Sequence, residues 1–145
     1  NEISHDNKKV MDAGSGTGIL TIMAMKLGAS LVTAFDIDEW SVDNGNENFE
    51  INGFKNLSMQ TGAIRSVNTE KAYDLILANI NKNVLLDEME VYAEKLFTKG
   101  QLLLSGFYET DIEDINQEAE KHGLLLKGRK VRNNWTSLLF QKVQS

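Results

Sequence analysis

Three glycines at alternate positions are the residues whose type and spacing point most directly to chemistry. They are Gly14, Gly16 and Gly18, and they stand between an apolar run that ends in Asp12 and a second apolar segment. Glycine tolerates positive φ angles and lets a ligand approach the backbone where a Cβ would collide. A helix that begins after the third glycine would direct its free N–H groups and positive dipole end toward that ligand. The pattern therefore predicts the strand, turn and helix of a nucleotide-binding unit.

A second acidic residue extends the predicted site. Asp36 ends the next apolar run, residues 31–35, about 20 residues beyond the glycines. A carboxylate at that strand end can accept hydrogen bonds from both hydroxyls of a ribose. The dinucleotide fingerprint G-x-G-x-x-G would need its third glycine where Ile19 stands. An NAD(P)-dependent oxidoreductase is therefore the less favoured alternative.

The glycine spacing resembles that of another class of enzymes. D-x-G-x-G-x-G, from Asp12 to Gly18, resembles motif I of the S-adenosylmethionine (SAM) dependent methyltransferases. This resemblance implies that SAM is the cofactor, that Asp36 holds its ribose and that Ile37 packs on its adenine. Asp12 would support either the loop or the methionine ammonium. The predicted cofactor-binding residues are Asp12, Gly14, Ser15, Gly16, Thr17, Gly18, Asp36, Ile37, Ala63 and Asn79.

The middle of the chain narrows the resemblance to one family. Residues 74–80, Asp-Leu-Ile-Leu-Ala-Asn-Ile, resemble motif IV of these enzymes. Asn79 stands where amino-group methyltransferases of bases and glutamine amides usually begin Asn-Pro-Pro-Tyr. With the stretches 18–22, 26–29, 102–106 and 133–135, the ordered set resembles the ribosomal protein L-eleven methyltransferase (PrmA) family over about residues 8 to 140.

That family resemblance implies a specific reaction. The methyl group of SAM would pass to amines of a ribosomal protein, both lysine side chains and the N-terminal amine. Asn79 would be the catalytic residue, because its carbonyl oxygen would orient the incoming amine. In-line displacement at a sulfonium carbon mainly needs a neutral amine and correct alignment, so no general base is assigned.

The sequence departs from the family at its N-terminus. Residues 1–7 contain nothing like the Phe-Gly-Thr-Gly-x-His-x-Thr segment that helps to close over SAM. We therefore expect residues 1–145 to form a single SAM-binding methyltransferase domain, with 1–7 as a ragged lead-in and without the N-terminal substrate-recognition domain. Such a core is expected to bind SAM and to methylate slowly or not at all.

Composition sets limits on partners and location. The chain has 145 residues, no cysteine and a net charge of −6. The absence of cysteine excludes disulfides and thiolate metal sites, and we expect no bound metal. The acidity argues against direct nucleic-acid binding and would suit a basic protein substrate, although mild acidity is common in cytosolic proteins. No apolar run approaches the ~18 residues of a membrane span, so we expect a cytoplasmic protein without a membrane partner; the oligomeric state stays open.

The pattern of apolar residues predicts a Rossmann-like α/β fold. Strands alternate with helices, which favours a doubly wound, mostly parallel seven-stranded sheet with an antiparallel last strand. The predicted strands are 10–13, 31–35, 57–61, 73–80, 101–107, 124–131 and 135–143. The predicted helices are 19–27, 39–51, one with Leu85, Met89, Tyr92 and Leu96 on one stripe that closes near Gly100, and one from a capping box at 110–113 to Gly123 with an apolar face of Ile112, Ile115 and Ala119. The first helix carries one charge, Lys26, and is expected to be largely covered, while its many asparagines make the second a mediocre helix on propensity.

Several of these residues also have plainer interpretations. Asp38 is better explained as a helix cap than as a ligand, and Asn79 could satisfy backbone groups at the strand edge. Trp40 and Trp135 are expected to be packing residues, and His5 and His122 to be exposed without a role. Three other functions stay open: a SAM-binding core without independent catalysis, the oxidoreductase, and a methyltransferase acting on nucleic acid or a small molecule.

Overall fold

The computed structural model describes residues 8–55, 57–133 and 135–143, and the chain divides into two compact units after Lys71. His5, the lead-in 1–7 and Asn134 lie outside the described residues.

The first unit is built on parallel strands connected by helices. Its strand order is β3-β2-β1, and both pairs are parallel. The register places Ala13 beside Phe35 and Asp36 beside Thr61, so the carboxyl ends of the strands meet at one edge. The elements are β1 (Lys9–Ala13), α1 (Ile19–Lys26), β2 (Leu31–Asp36), α2 (Glu39–Ile51) and β3 (Met59–Thr61).

The two helices of this unit differ in how well the sequence predicted them. α2 begins where expected, with the Asp38 side chain accepting a hydrogen bond of 3.2 Å from the N–H of Trp40. The expectation that α1 is largely covered is wrong, because Leu20 and Met23 are exposed while Ile22 is buried. A short helix presents one stripe of side chains to the core at its 3.6-residue period, so even an apolar helix leaves its other side in solvent.

The second unit combines a parallel and an antiparallel pairing. Its strand order is β4-β5-β7-β6; β4 and β5 are parallel, and β7 is antiparallel to both β5 and β6. The elements are β4 (Tyr73–Ala78), α3 (Lys82–Glu94), β5 (Leu96–Tyr108), a 3₁₀ turn (Glu109–Asp111), α4 (Ile112–Lys121), β6 (Leu124–Arg132) and β7 (Trp135–Lys142).

The boundary between α3 and β5 differs from the prediction. Leu96 was assigned to the helix stripe and Gly100 to the helix end, but both lie in β5. Leu96 pairs with Tyr73 before the register shifts to Leu75 and Gln101. Leu96 is buried in the strand. A single buried leucine fits the apolar pattern of a helix as well as that of a strand, so the sequence did not distinguish the two.

The start of α4 was also mispredicted. The expected capping box from Thr110 to Glu113 does not form. Instead the N–H of Tyr108 donates to Oδ2 of Asp111 at 3.0 Å, and a 3₁₀ turn precedes the helix. Asp111 takes part in the cap in place of Thr110, because its carboxylate reaches back three residues to the free backbone N–H of Tyr108. The predicted apolar face of the helix is confirmed, with Ile112, Ile115 and Ala119 buried.

The predicted fold class, a doubly wound, mostly parallel seven-stranded sheet with an antiparallel last strand, is confirmed. Within the described ranges, no helix combines the length and apolar character that crossing a bilayer requires.

Candidate SAM site and candidate amine-positioning residue

The glycine loop of the first unit has the predicted left-handed backbone. Gly14, Gly16 and Gly18 have φ angles of 71°, 58° and 83°. A residue with a Cβ is strained in this region by about 1–2 kcal/mol. The N–H groups of Gly14 and Ser15 both donate to the carbonyl of Phe35 at 3.0 Å, which fixes the start of the loop against the end of β2.

Asp36 is joined directly to this loop. Its Oδ2 accepts the N–H of Gly16 at 2.9 Å, and its Oδ1 accepts the N–H of Asp38 at 2.9 Å. A carboxylate has about four lone-pair sites, so two backbone donors leave acceptor capacity for a ligand. The structure therefore brings together the loop and the acid that the sequence singled out. Beside them, the side chain of Ile37 is 74% exposed.

The residues after β3 reach the same strand end. The N–H of Gly62 donates to the carbonyl of Asp36 at 2.8 Å. Ala63 follows directly and forms a tight turn, in which its N–H donates to the Ser66 hydroxyl at 3.1 Å. Ala63 therefore lies near Asp36, at the strand end where the sequence predicted the cofactor site.

Asp12 is held inside the unit. It is only 1% exposed, and its Oδ2 accepts the Thr21 hydroxyl at 2.6 Å, which ties β1 to α1. Burial raises the pKa of Asp12 from its ordinary value of 3.8 to about 6, against the lowering effect of the hydrogen bonds from Thr21 and Ser15. The negative charge of Asp36 raises this pKa further.

One face of α2 supports the loop, and sequence reasoning missed it. The Nδ2 of Asn48 donates to the carbonyl of Thr17 at 2.8 Å. A Cβ built on Gly18 would lie 2.6 Å from Cε1 of Phe49, and one built on Gly45 would lie 3.5 Å from the carbonyl oxygen of Gly16. The three helix residues are spaced i, i+3 and i+4, which places them on one face. That spacing was a usable signal, but the asparagine content of α2 suggested only a weak helix.

Gly16 differs from Gly18 in what surrounds it. Apart from Gly16 and its two chain neighbours, no atom of the residues that the structure describes would lie within 4 Å of a Cβ built on Gly16. The packing of the chain therefore does not demand glycine at this position, apart from the positive φ angle. Space over the middle of the loop is open to a ligand.

The two tryptophans are both exposed, and Trp135 packs against another aromatic ring. Trp40, in the first turn of α2, is 72% exposed, which does not fit the expected role of a packing residue. Trp135, in the second unit, is also exposed and stacks on Tyr108 with ring centroids 5.4 Å apart. Apolar rings at strand and helix ends cannot be assigned to the core from composition alone, because a folded surface keeps many apolar groups.

In the second unit, some residues of the motif after β4 contact other residues of the chain, whereas Asn79 is open to solvent. Asn81 caps α3 by accepting the N–H of Asn83 at 2.8 Å. Lys82 contacts Asp114 at 2.8 Å and Asp111 at 3.3 Å, and the hydrogen bond that its ammonium donates to the Asp114 carboxylate raises the pKa of Lys82. Asn79 follows β4 directly and is exposed, and its side chain makes no hydrogen bond to any residue that the structure describes. The strand-edge interpretation of Asn79 therefore gains no support.

His122 is not simply exposed, as the sequence suggested. Its ring lies 2.8 Å from Oε2 of Glu118 and is half-buried at the end of α4. The hydrogen bond to His122 lowers the pKa of Glu118. This pair links two adjacent turns of one helix and contributes nothing to the candidate sites.

The fold of the chain is shared with SAM-dependent methyltransferases. The chain superposes on a SAM-dependent methyltransferase from Aquifex aeolicus with a TM-score of 0.77 over 95% of this chain and 84% of that one, at 16% identity, which shows a shared fold. The family is defined more closely by sequence. Residues 1–143 match the family described as Ribosomal protein L11 methyltransferase (PrmA), and the chain belongs to that family.

Two relatives show how far this similarity extends. A ribosomal protein L11 methyltransferase of Porphyromonas gingivalis is 47% identical over 132 residues, which cover 91% of this chain and 46% of the relative. The crystal structure of a ribosomal protein L11 methylase from Lactobacillus delbrueckii subsp. bulgaricus has 31% identity and a TM-score of 0.88, covering 96% of this chain and 72% of that one. The family resemblance is thus confirmed, and the chain spans about half the length of the curated relatives it matches.

Proposed function

We propose that this chain is the SAM-binding core of a methyltransferase that acts on amines of a ribosomal protein, both lysine side chains and the N-terminal amine. The observation that supports this most strongly is the hydrogen bond between the Gly16 N–H and Asp36, in a chain of the PrmA family. It unites the two elements of the predicted SAM site in one structure.

The residues of the first unit fit SAM. Gly16 leaves open space over the loop, where the methionine part would pass close to Gly14 and the turn at Gly18. Asp36 keeps acceptor capacity for two ribose hydroxyls, and the exposed Ile37 offers an apolar surface to adenine. Ser15, Thr17 and Ala63 complete the set.

Asp12 fits a supporting role better than a contact with the ligand. Its carboxylate is buried and receives the Thr21 hydroxyl. We therefore propose that it holds β1, the loop and α1 together, which leaves the methionine ammonium to other groups of the site.

Bound SAM supplies an activated methyl group on a sulfonium sulfur. When the methyl group is transferred, that sulfur becomes a neutral thioether, which is a good leaving group. The protein's part is then alignment of the amine. We propose that Asn79 provides it: its Oδ1 accepts an N–H of the neutral amine, which turns the nitrogen lone pair toward the methyl carbon. The exposure of Asn79 and its lack of other described hydrogen bonds support this role.

The competing functions have less support from the sequence and the family match. Ile19 occupies the place of the third dinucleotide glycine, and the family match does not favour an oxidoreductase. A core that binds SAM without transferring methyl stays distinguishable only by assay. Organisation as one SAM-binding domain, a cytoplasmic location, and the absence of a metal and of a nucleic-acid partner all remain predictions.

Radiolabelled SAM tests the proposal. The chain, its Asn79→Ala variant and the longer Porphyromonas gingivalis relative should each be incubated with purified ribosomal protein L11, and the transferred label counted. We expect transfer by the relative, weaker transfer by this chain, and a further loss in Asn79→Ala. No transfer by the chain while the relative is active would favour a SAM-binding core without independent catalysis.

A further inference from the structure

A glycine in β5 lies against the side chain of Asn79. A Cβ built on Gly106 would lie 2.7 Å from Oδ1 of Asn79. Carbon and oxygen atoms that are not bonded to each other normally stay about 3.3–3.6 Å apart. Any residue other than glycine at position 106 must therefore displace either the carboxamide or its own backbone.

The backbone of β5 is shaped at this glycine. Ser105 pairs with Ser137 and Phe107 pairs with Thr136, so Gly106 is an extra residue in β5. Its φ angle is 92°, which residues with a Cβ rarely adopt. An extra residue with a positive φ angle is a β-bulge, and bulges are common next to functional sites, where they redirect a side chain.

The parallel register explains why the bulge meets Asn79. Ala78, the last residue of β4, pairs with Leu104. The next residues on each strand, Asn79 and the segment from Ser105 to Gly106, therefore continue side by side beyond the paired region. Asn79 has no described hydrogen bond to fix its carboxamide. The close approach of Gly106 thus limits the position of the Asn79 carboxamide on one side.

We propose that Gly106 is a positioning residue, whose bulge and missing Cβ leave the Asn79 carboxamide in the orientation that the incoming amine needs. This inference rests on the proposed function for the task of Asn79. It assigns Gly106 no contact with substrate or cofactor. Gly106 acts because it has no Cβ and so leaves room for the Asn79 carboxamide.

Crystal structures test the positioning directly. Gly106→Ala should move Oδ1 of Asn79 by at least about 0.6 Å, the difference between the built contact and a normal one. Gly123→Ala, at a residue of the same unit with φ 78°, is the matched control for backbone strain and should leave Asn79 in place. An unmoved carboxamide in Gly106→Ala, with the bulge itself rearranged, would overturn the proposal.

Methyl transfer gives a second readout that simple destabilisation would not reproduce. Gly106→Ala should lower the transfer rate about tenfold to a hundredfold, the scale of a misplaced catalytic group. In an Asn79→Ala background the same substitution should cost nothing further, because the displaced group is gone. An equal loss in both backgrounds would overturn the proposal.

Two remaining outcomes are also decisive. If Gly106→Ala does not fold, the double variant should be more stable, since the clash disappears with the carboxamide and only the backbone strain at φ 92° remains; a double variant that is equally unfolded contradicts the positioning role. If the unsubstituted protein transfers no methyl, the chain is a SAM-binding core without independent catalysis, and the crystal structures still decide whether Gly106 places Asn79.

Discussion

The backbone N–H of Gly16 donates a hydrogen bond of 2.9 Å to Oδ2 of Asp36. The loop after β1 and the acid at the end of β2 are therefore one assembly, and a substitution at either residue should affect the other. Asp36 has two tasks in this account: it shapes the loop through the N–H groups of Gly16 and Asp38, and it offers its remaining lone pairs to a ribose.

Asp36→Ala should weaken SAM binding by about 1.5–3 kcal/mol, the range for hydrogen bonds to a charged group. It should also lower the free energy of unfolding by about 1 kcal/mol, because two backbone donors lose their acceptor. Calorimetric titration and urea unfolding measure the two effects. Asp36→Asn, which keeps one carbonyl oxygen, is the milder control. Unchanged SAM affinity in Asp36→Ala would show that the carboxylate does not hold the ribose.

Gly16→Ala should reduce SAM affinity by more than about tenfold, or about 1.4 kcal/mol, because its methyl group enters the open space over the loop. Gly53→Ala is the matched control, since Gly53 also has a positive φ angle and open surroundings but lies beyond the end of α2. Both variants should lose about 1–2 kcal/mol of stability from backbone strain. Equal SAM affinities in the two variants would mean that the loop does not enclose the cofactor.

Asn48→Ala should weaken SAM binding severalfold without contacting the ligand, because Thr17 loses the donor that holds its carbonyl. Asn52→Ala serves as control: the Asn52 amide donates to the helix's own carbonyl at Asn48, away from the loop. Each variant should cost about 1 kcal/mol of stability. If SAM affinity falls equally in both, helix stability and not loop support is responsible.

Asp12→Asn should change how stability depends on pH. Because the pKa of Asp12 in the folded chain is about 6, against an ordinary value of 3.8, the folded state keeps its proton where the unfolded state has lost it. The carboxyl group therefore makes the protein less stable as pH rises from about 4 to about 6, by about 3 kcal/mol in total.

The asparagine variant has no such proton to lose and can still accept the Thr21 hydroxyl. Its unfolding free energy relative to the unsubstituted protein should rise between pH 4 and pH 6.5 and stay constant above. Urea unfolding of both proteins at several pH values measures the difference, in which other titrating groups cancel. Parallel stability curves would show that the pKa of Asp12 is not raised in solution.

The sequence was informative where one residue type has one physical use. Positive φ angles at Gly14, Gly16 and Gly18 followed from their spacing, and Asp38 was recognisable as a cap from its place before α2. The alternation of strands and helices predicted the fold class, whereas the strand order within each unit is known from the structure alone. These features depend on local backbone chemistry, which a single sequence carries.

What the sequence could not supply depends on contacts between distant segments. The bond from Asn48 to Thr17, the approach of Gly106 to Asn79 and the bulge in β5 join residues on different elements. The contribution of Asp36 to stability likewise follows from its two backbone partners, the N–H groups of Gly16 and Asp38, which only the structure shows. Leu96 shows the related ambiguity, since a buried leucine fits a helix stripe and a strand equally.

Titration of the purified chain with SAM and, separately, with NAD tests the central claim most directly. The account predicts saturable one-to-one heat with SAM and none with NAD at the same concentrations, since the loop carries Ile19 in place of the third dinucleotide glycine. It further predicts that SAM affinity falls by more than about tenfold in Gly16→Ala and is kept in Gly53→Ala. Comparable binding of NAD, or SAM binding that is indifferent to Gly16, would contradict it.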